Sequence, residues 1–194
     1  MKLILGVLLF VTCNQLANAQ DKPTLPFDDR GKFIYYEVVE LKATPLDSLK
    51  SRMVNYLKQK KSPVKLTSIV GDTAFMANGK FIINKTVLVM SHPSGEVSYQ
   101  FKAEIRDHKY RFWLTDFTFI PYVRDRYSNF VPATTVATPL EKTPGKLDAA
   151  QWKEYQSQTA AFAKELGEKF KSYLASKSVV AAPVKKKEVI TKSW

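Results

Sequence analysis

Cysteine is almost missing from this chain: Cys13 stands alone among 194 residues. A single thiol excludes a disulfide framework and a zinc–thiolate site. Histidine is nearly as scarce, with only His92 and His108. No Gly-rich phosphate loop, His-Glu-x-x-His, Gly-x-Ser-x-Gly or calcium loop occurs, which removes the common local signatures of phosphoryl transfer, zinc proteolysis, serine hydrolysis and calcium binding. After the first eleven residues no apolar run approaches the ~20 residues that span a bilayer. Aromatics, by contrast, are plentiful. The chain has 12 Phe, 9 Tyr and 3 Trp, with 45% hydrophobic residues and a net charge of +12. Such a composition buries a core, so wholesale disorder is excluded.

The N-terminus explains the lone cysteine. Met1-Lys2 is a short basic start, residues 3–11 form an apolar run, and Ala17-Asn18-Ala19 puts small residues before Gln20. That pattern reads as a cleaved export signal over residues 1–19, with cleavage between Ala19 and Gln20. Cys13 follows Val11-Thr12, and Thr is bulkier than the small residue a lipoprotein signal places before its acylated Cys. The expectation is therefore a soluble exported protein, periplasmic or secreted, without a transmembrane segment.

Residues 20–30 form a proline-containing leader. The run Phe33-Ile34-Tyr35-Tyr36-Glu37-Val38-Val39-Glu40-Leu41 reads as a strand. Thr44-Pro45-Leu46-Asp47 signals a helix start, with Thr44 as cap, and Leu46, Leu49, Met53 and Leu57 give one apolar stripe. Strands follow, with turns expected at Ala77-Asn78-Gly79, His92-Pro93-Ser94-Gly95 and Asp107-His108-Lys109. Val97, Tyr99, Phe101, Ala103 and Ile105 alternate with polar residues, a period of 2 that buries one sheet face. Residues 110–120 are apolar on both faces, which predicts a bulge or a second covering layer. A Pro/Thr-rich connector over 122–146 leads to a long amphipathic helix at 147–175. Asp148 and Gln151 are its expected capping pair, Leu147 its staple on Trp152, and Trp152, Tyr155, Thr159, Phe162, Leu166, Phe170 and Tyr173 its sheet-facing stripe. Residues 176–194 form a basic tail.

The order strand, helix, four antiparallel strands, helix predicts an α+β domain over 31–121 with the helices packed on one face of a single sheet. Here the chain resembles the bacterial DUF4468 family, a domain of unknown function with TBP-like fold. The likeness is carried by Gly31-Lys32-Phe33-Ile34-Tyr35-Tyr36-Glu37-Val38-Val39, by the Leu46 to Leu57 stripe, and above all by Ile105-Arg106-Asp107-His108-Lys109-Tyr110-Arg111-Phe112. In that last segment His108-Lys109 stands where Gly-Arg is usual. The resemblance implies a TBP-like sheet and an envelope location, and no activity.

Positive charge is the most informative functional signal. Residues 44–61 carry Lys50, Arg52, Lys58, Lys60 and Lys61 against Asp47, and the hairpin adds Arg106, Lys109 and Arg111. Arg106, Lys109, Tyr110 and Arg111, with Lys185, Lys186 and Lys187 of the tail, are the candidate binding surface. The matching partner is an envelope protein or an anionic lipid or polysaccharide surface; a merely solvating surface is the alternative. Nucleic acid is set aside, because export separates the chain from the genome and fold does not confer function. No cofactor or metal is expected, since two turn histidines without an acidic cluster do not make a metal site. Asp116, inside an apolar strand, is the candidate for a rival reading: an envelope hydrolase centred on Asp116 or on the hairpin at 106–111. A non-enzymatic binding module is the leading expectation. N-terminal sequencing of the exported protein should begin at Gln20; a lipid-modified Cys13 or a retained N-terminus would overturn the export reading.

Overall fold

The computed structural model describes residues 22–42, 44–87, 90–142, 145 and 148–176. The export segment with Cys13, Ala19 and Gln20, the staple residue Leu147, and the tail with Lys185, Lys186 and Lys187 lie outside the described residues.

Period-2 patterning builds the centre of the sheet. Val97, Tyr99, Phe101, Ala103 and Ile105 are each at most 2% exposed, while their neighbours face the other side. They lie on β4 (Met90–Arg106), one of seven strands among the described residues; the others are β1 (Tyr35–Glu40), β2 (Val64–Val70), β3 (Ala74–Val87), β5 (Lys109–Arg124), β6 (Phe130–Pro132) and β7 (Thr138–Pro139). The order across the sheet is β1-β5-β4-β3-β2, antiparallel throughout, with β6 and β7 also pairing to β5. Because β1 and β2 lie at opposite edges, the connection through α1 (Leu46–Lys58) carries the chain from one edge of the sheet to the other. The second helix, α2 (Ala149–Ala175), packs on the same face. The expected α+β architecture is the one observed.

Both apolar stripes point into the core. Leu49, Met53, Tyr56 and Leu57 of α1 are buried, as are Tyr155, Thr159, Leu166 and Phe170 of α2. Phe162 stacks on Phe81 of β3 at 3.9 Å and 9°, and Trp152 packs edge-on to Phe119 of β5. The expected caps do not form. The first helix begins at Leu46 with Pro45 in the N-cap position, and the Thr44 N–H instead donates to the Leu41 carbonyl at 3.0 Å. Asp148 makes no side-chain cap bond, and Gln151 turns towards Lys85 and Tyr155. Packing, rather than capping, holds both helix starts.

Two expected turns are strand interior. Ala77-Asn78-Gly79 lies within β3 and His92-Pro93-Ser94-Gly95 within β4, where His92 pairs with Lys85. Their glycines answer a steric demand in a strand rather than a chain reversal. A methyl on Gly79 would sit 2.4 Å from the Tyr99 ring and 2.7 Å from the Pro63 carbonyl oxygen; one on Gly95 would sit 2.4 Å from the Ile120 carbonyl oxygen and 2.5 Å from Phe119. The turn at Asp107-His108 is present as expected. Its His108 has φ 58°, the left-handed region that favours glycine.

The connector and leader are not free of the fold. β6 and β7 fold back on β5, and Leu140 is fully buried. In the leader Leu25 joins the core, Phe27 stacks on Phe33 at 4.7 Å, and the Ile34 N–H donates to the Pro26 carbonyl. Gly95→Ala should cost about 2 kcal/mol through overpacking, lowering Tm by roughly 4–8 °C. Gly145→Ala, where an added methyl meets nothing within 4 Å, should leave Tm unchanged. Thermal melts of the two variants against the parent chain test this.

Candidate functional site

The face of the sheet turned away from the helices carries the charge. Alternation along β4 and β5 sends Lys102, Glu104 and Arg106, and Lys109, Arg111 and Trp113, to this open face, while Tyr110, Phe112 and Leu114 go to the core. The register sets Val38 opposite Arg111 and Tyr36 opposite Trp113, and Glu104 opposite Arg111. Arg106, Lys109 and Arg111 therefore converge around a small cavity of about 190 Å³, walled also by Tyr36, Val38 and Glu104.

Arg111 is fixed within this group. Its Nε donates to Glu104 Oε2 at 2.8 Å, its Nη2 lies 2.6 Å from the same oxygen, and its guanidinium sits 5.6 Å from the Trp113 ring centre. The bond to Glu104, followed by one to Tyr36, raises the Arg111 pKa above the ordinary guanidinium value. Arg106 and Lys109 are exposed. With Lys65 and Lys102 of the same face, they make no ion pair among the described residues. Tyr36 and Val38 stand 47% and 56% exposed beside them.

Tyr110 also borders this cavity, but its side chain points to the core. It is 1% exposed and packs against Phe112 and Phe170. Burial, and then the charge of Glu37, raises its phenol pKa, and its hydroxyl has no hydrogen-bond partner among the described residues.

Asp116 sits on a bulge, one of the two outcomes expected from the strand's two apolar faces. The β4–β5 register shifts between Ser98 and Gln100, and Asp116 has φ 55°, a conformation that Asp tolerates better than most residues. Its carboxylate lies 3.7 Å from Arg30 Nη1. That arginine is itself held by Asp28 and by Thr115 Oγ1, so the leader is tied to the bulge. Asp116 opens on a broad groove of about 1020 Å³ over the open face, shared with Lys65, Lys80, Tyr99 and several hydroxyl and amide side chains. It is the one carboxylate in that lining. Lys80 is occupied by Glu96 at 2.9 Å, and the Tyr99 hydroxyl by the Pro63 carbonyl. The two histidines are far apart in register, His92 in a strand and His108 in a turn. Among the described residues no group of three His, Cys, Asp or Glu could hold a metal.

Residues 35–120 match the family model described as domain of unknown function (DUF4468) with TBP-like fold. A solved DUF4468 family protein from Bacteroides ovatus ATCC 8483 superposes with TM-score 0.55 at 12% identity, over 78% of this chain and 91% of that one. A TBP-like protein from Parabacteroides distasonis ATCC 8503 superposes with TM-score 0.58 at 14% identity, over 77% and 96%. At these identities the likeness is one of fold. No curated protein matches the sequence.

Because the Tyr110 hydroxyl is buried without a partner among the described residues, Tyr110→Phe should keep or raise Tm, by up to about 1 kcal/mol of stability. A fall of several degrees in a thermal melt would instead place that hydroxyl in a bonded role.

Proposed function

We propose that this chain, whose residues 35–120 carry the DUF4468 domain with its TBP-like fold, is an exported, non-enzymatic binding module that docks an acidic envelope protein on its open sheet face. The observation that carries the reading is four cations, Lys65, Lys102, Arg106 and Lys109, displayed on one face without an ion-pair partner among the described residues. Arg106 and Lys109 lie beside Tyr36 and Arg111, Lys102 stands opposite Trp113, and Lys65 lies on the far edge strand. Tyr, Trp and Arg are residue types that dominate binding energy at protein interfaces. Such a charged face accelerates encounter with an oppositely charged partner, and the aromatic side chains hold it. The hydrolase alternative lacks support in the site. Paired-carboxylate chemistry needs a second acid near Asp116, and the groove lining offers none.

The test is affinity capture from envelope extract with the parent chain and two variants, Tyr36→Ala/Trp113→Ala and Arg106→Gln/Lys109→Gln, each checked for folding by circular dichroism. A partner retained by the parent, released by salt and bound at least tenfold more weakly by both variants supports the reading. Capture indifferent to both variants overturns it. So does equal, salt-sensitive co-sedimentation of parent and variants with anionic vesicles that is lost when Lys185, Lys186 and Lys187 become Gln, which would move binding to the tail and a lipid surface.

A further inference from the structure

A second group of cations lies at the opposite end of β4 from the Arg106–Lys109 hairpin, and the open-face reading does not use it. Register places Lys85 of β3 directly opposite His92 of β4, and Arg124 of β5 opposite Phe130 of β6. These elements and the start of α2 border an open cavity of about 370 Å³, into which Lys85, His92, Arg124, Ser94, Tyr122 and Gln151 contribute polar groups; its lining includes no Asp or Glu.

The cations are positioned before any ligand arrives. Lys85 Nζ donates to Gln151 Oε1 at 2.9 Å, Gln151 in turn bonds the Tyr155 hydroxyl, and that hydroxyl pairs with Ser94 Oγ. Lys85 thus keeps two of its three N–H donors for another acceptor. Arg124 lies 4.9 Å from the Phe130 ring centre, and the His92 ring stacks on the same Phe130 at 6.0 Å and 24°. One aromatic side chain therefore orients both. Neither Lys85 nor Arg124 has an ion pair among the described residues. Carboxylates adjoining the lining residues are already engaged, Glu154 by Lys22 at 2.7 Å. Glu96 accepts from Lys80 and from the Tyr122 hydroxyl, each at 2.9 Å. Asp125 accepts from the backbone N–H groups of Tyr127 and Asn129, each at 2.8 Å, and from Asn129 Nδ2 at 3.2 Å.

We propose that this cavity is a binding site for a phosphate monoester. A phosphate monoester carries close to two negative charges and three acceptor oxygens, and Arg and Lys together supply charge and directed donors for such a group. A simple carboxylate would be satisfied by Arg124 alone. The volume falls within the range of small-ligand pockets. It leaves room beyond the phosphate for a polyol or sugar, whose hydroxyls would meet Ser94 and the Gln151 amide and whose apolar face would meet Pro93.

Isothermal titration of the full chain with glucose 6-phosphate, inorganic phosphate and glucose tests the site, with Lys85→Gln and Arg124→Gln as variants and Lys109→Gln as the control on the other face. Saturable binding of glucose 6-phosphate that weakens at least tenfold in both site variants and is unchanged in the control is the expected result, with no heat from glucose. A parallel arm uses vesicles with and without phosphatidic acid. Co-sedimentation with phosphatidic acid vesicles that needs Lys85 and Arg124, without binding of the free ester, assigns the phosphate to a lipid headgroup. No saturable binding of any phosphate probe, or binding indifferent to both variants, overturns the proposal. Because Lys109→Gln reads the open face separately, failure here is distinguishable from failure of the docking role.

Discussion

The ring of Phe170 is where the layers of this fold meet. From α2 it lies 5.0 Å from Tyr56 of α1, 5.2 Å from Phe101 of β4, and 4.9 and 5.8 Å from Phe112 and Tyr110 of β5, edge-on to all four. Edge-to-face contacts each add to what burial alone contributes. One side chain therefore couples both helices to the two central strands. The same packing that seats Phe170 draws Tyr110 inward and leaves Lys109 and Arg111 on the other side. Core and charged face are two consequences of one alternating strand.

The parts legible in the sequence were those with a regular period. Alternation in residues 97–105 and the stripes of both helices identified the layers, and the doubly apolar strand pointed to a bulge or a covering layer, of which the bulge at Asp116 is observed. Tyr110 borders the hairpin cavity together with Arg106, Lys109 and Arg111, while the period of 2 turns its side chain into the core, opposite to theirs. Gly79 and Gly95 were misread as turn residues. Glycine marks either a positive φ or a close approach, and only the partners across the sheet, Tyr99 and Ile120, distinguish the two. Pro93 sits beside the register shift in β3–β4 pairing, where a missing N–H is tolerated. The cavity around Lys85, His92 and Arg124 had no local signature, because its residues come from four strands and the long helix and are assembled only by the fold.

The open face and the cavity at the far end share a physical logic. Each places cations beside an aromatic ring that restricts their geometry, Arg111 by Trp113 and Arg124 by Phe130. Their surroundings differ. The hairpin site has exposed Tyr36 and Val38 beside its cations, whereas the far-end site has hydroxyl and amide side chains among its walls.

The placement of β1 at the edge beside β5 has a kinetic meaning. During synthesis β1 is made before α1, β2, β3 and β4, yet its ladder partner is completed only after all of them. The meander from β2 to β5 can zip from neighbour to neighbour, whereas joining β1 to β5 closes a long loop and carries the entropy of that closure. Until then Phe33, Tyr35 and Val39 have no sheet to cover them. The β1–β5 ladder is thus the pairing with the longest loop to close among neighbouring strands of the sheet, and the apolar side chains of β1 wait longest for their partner.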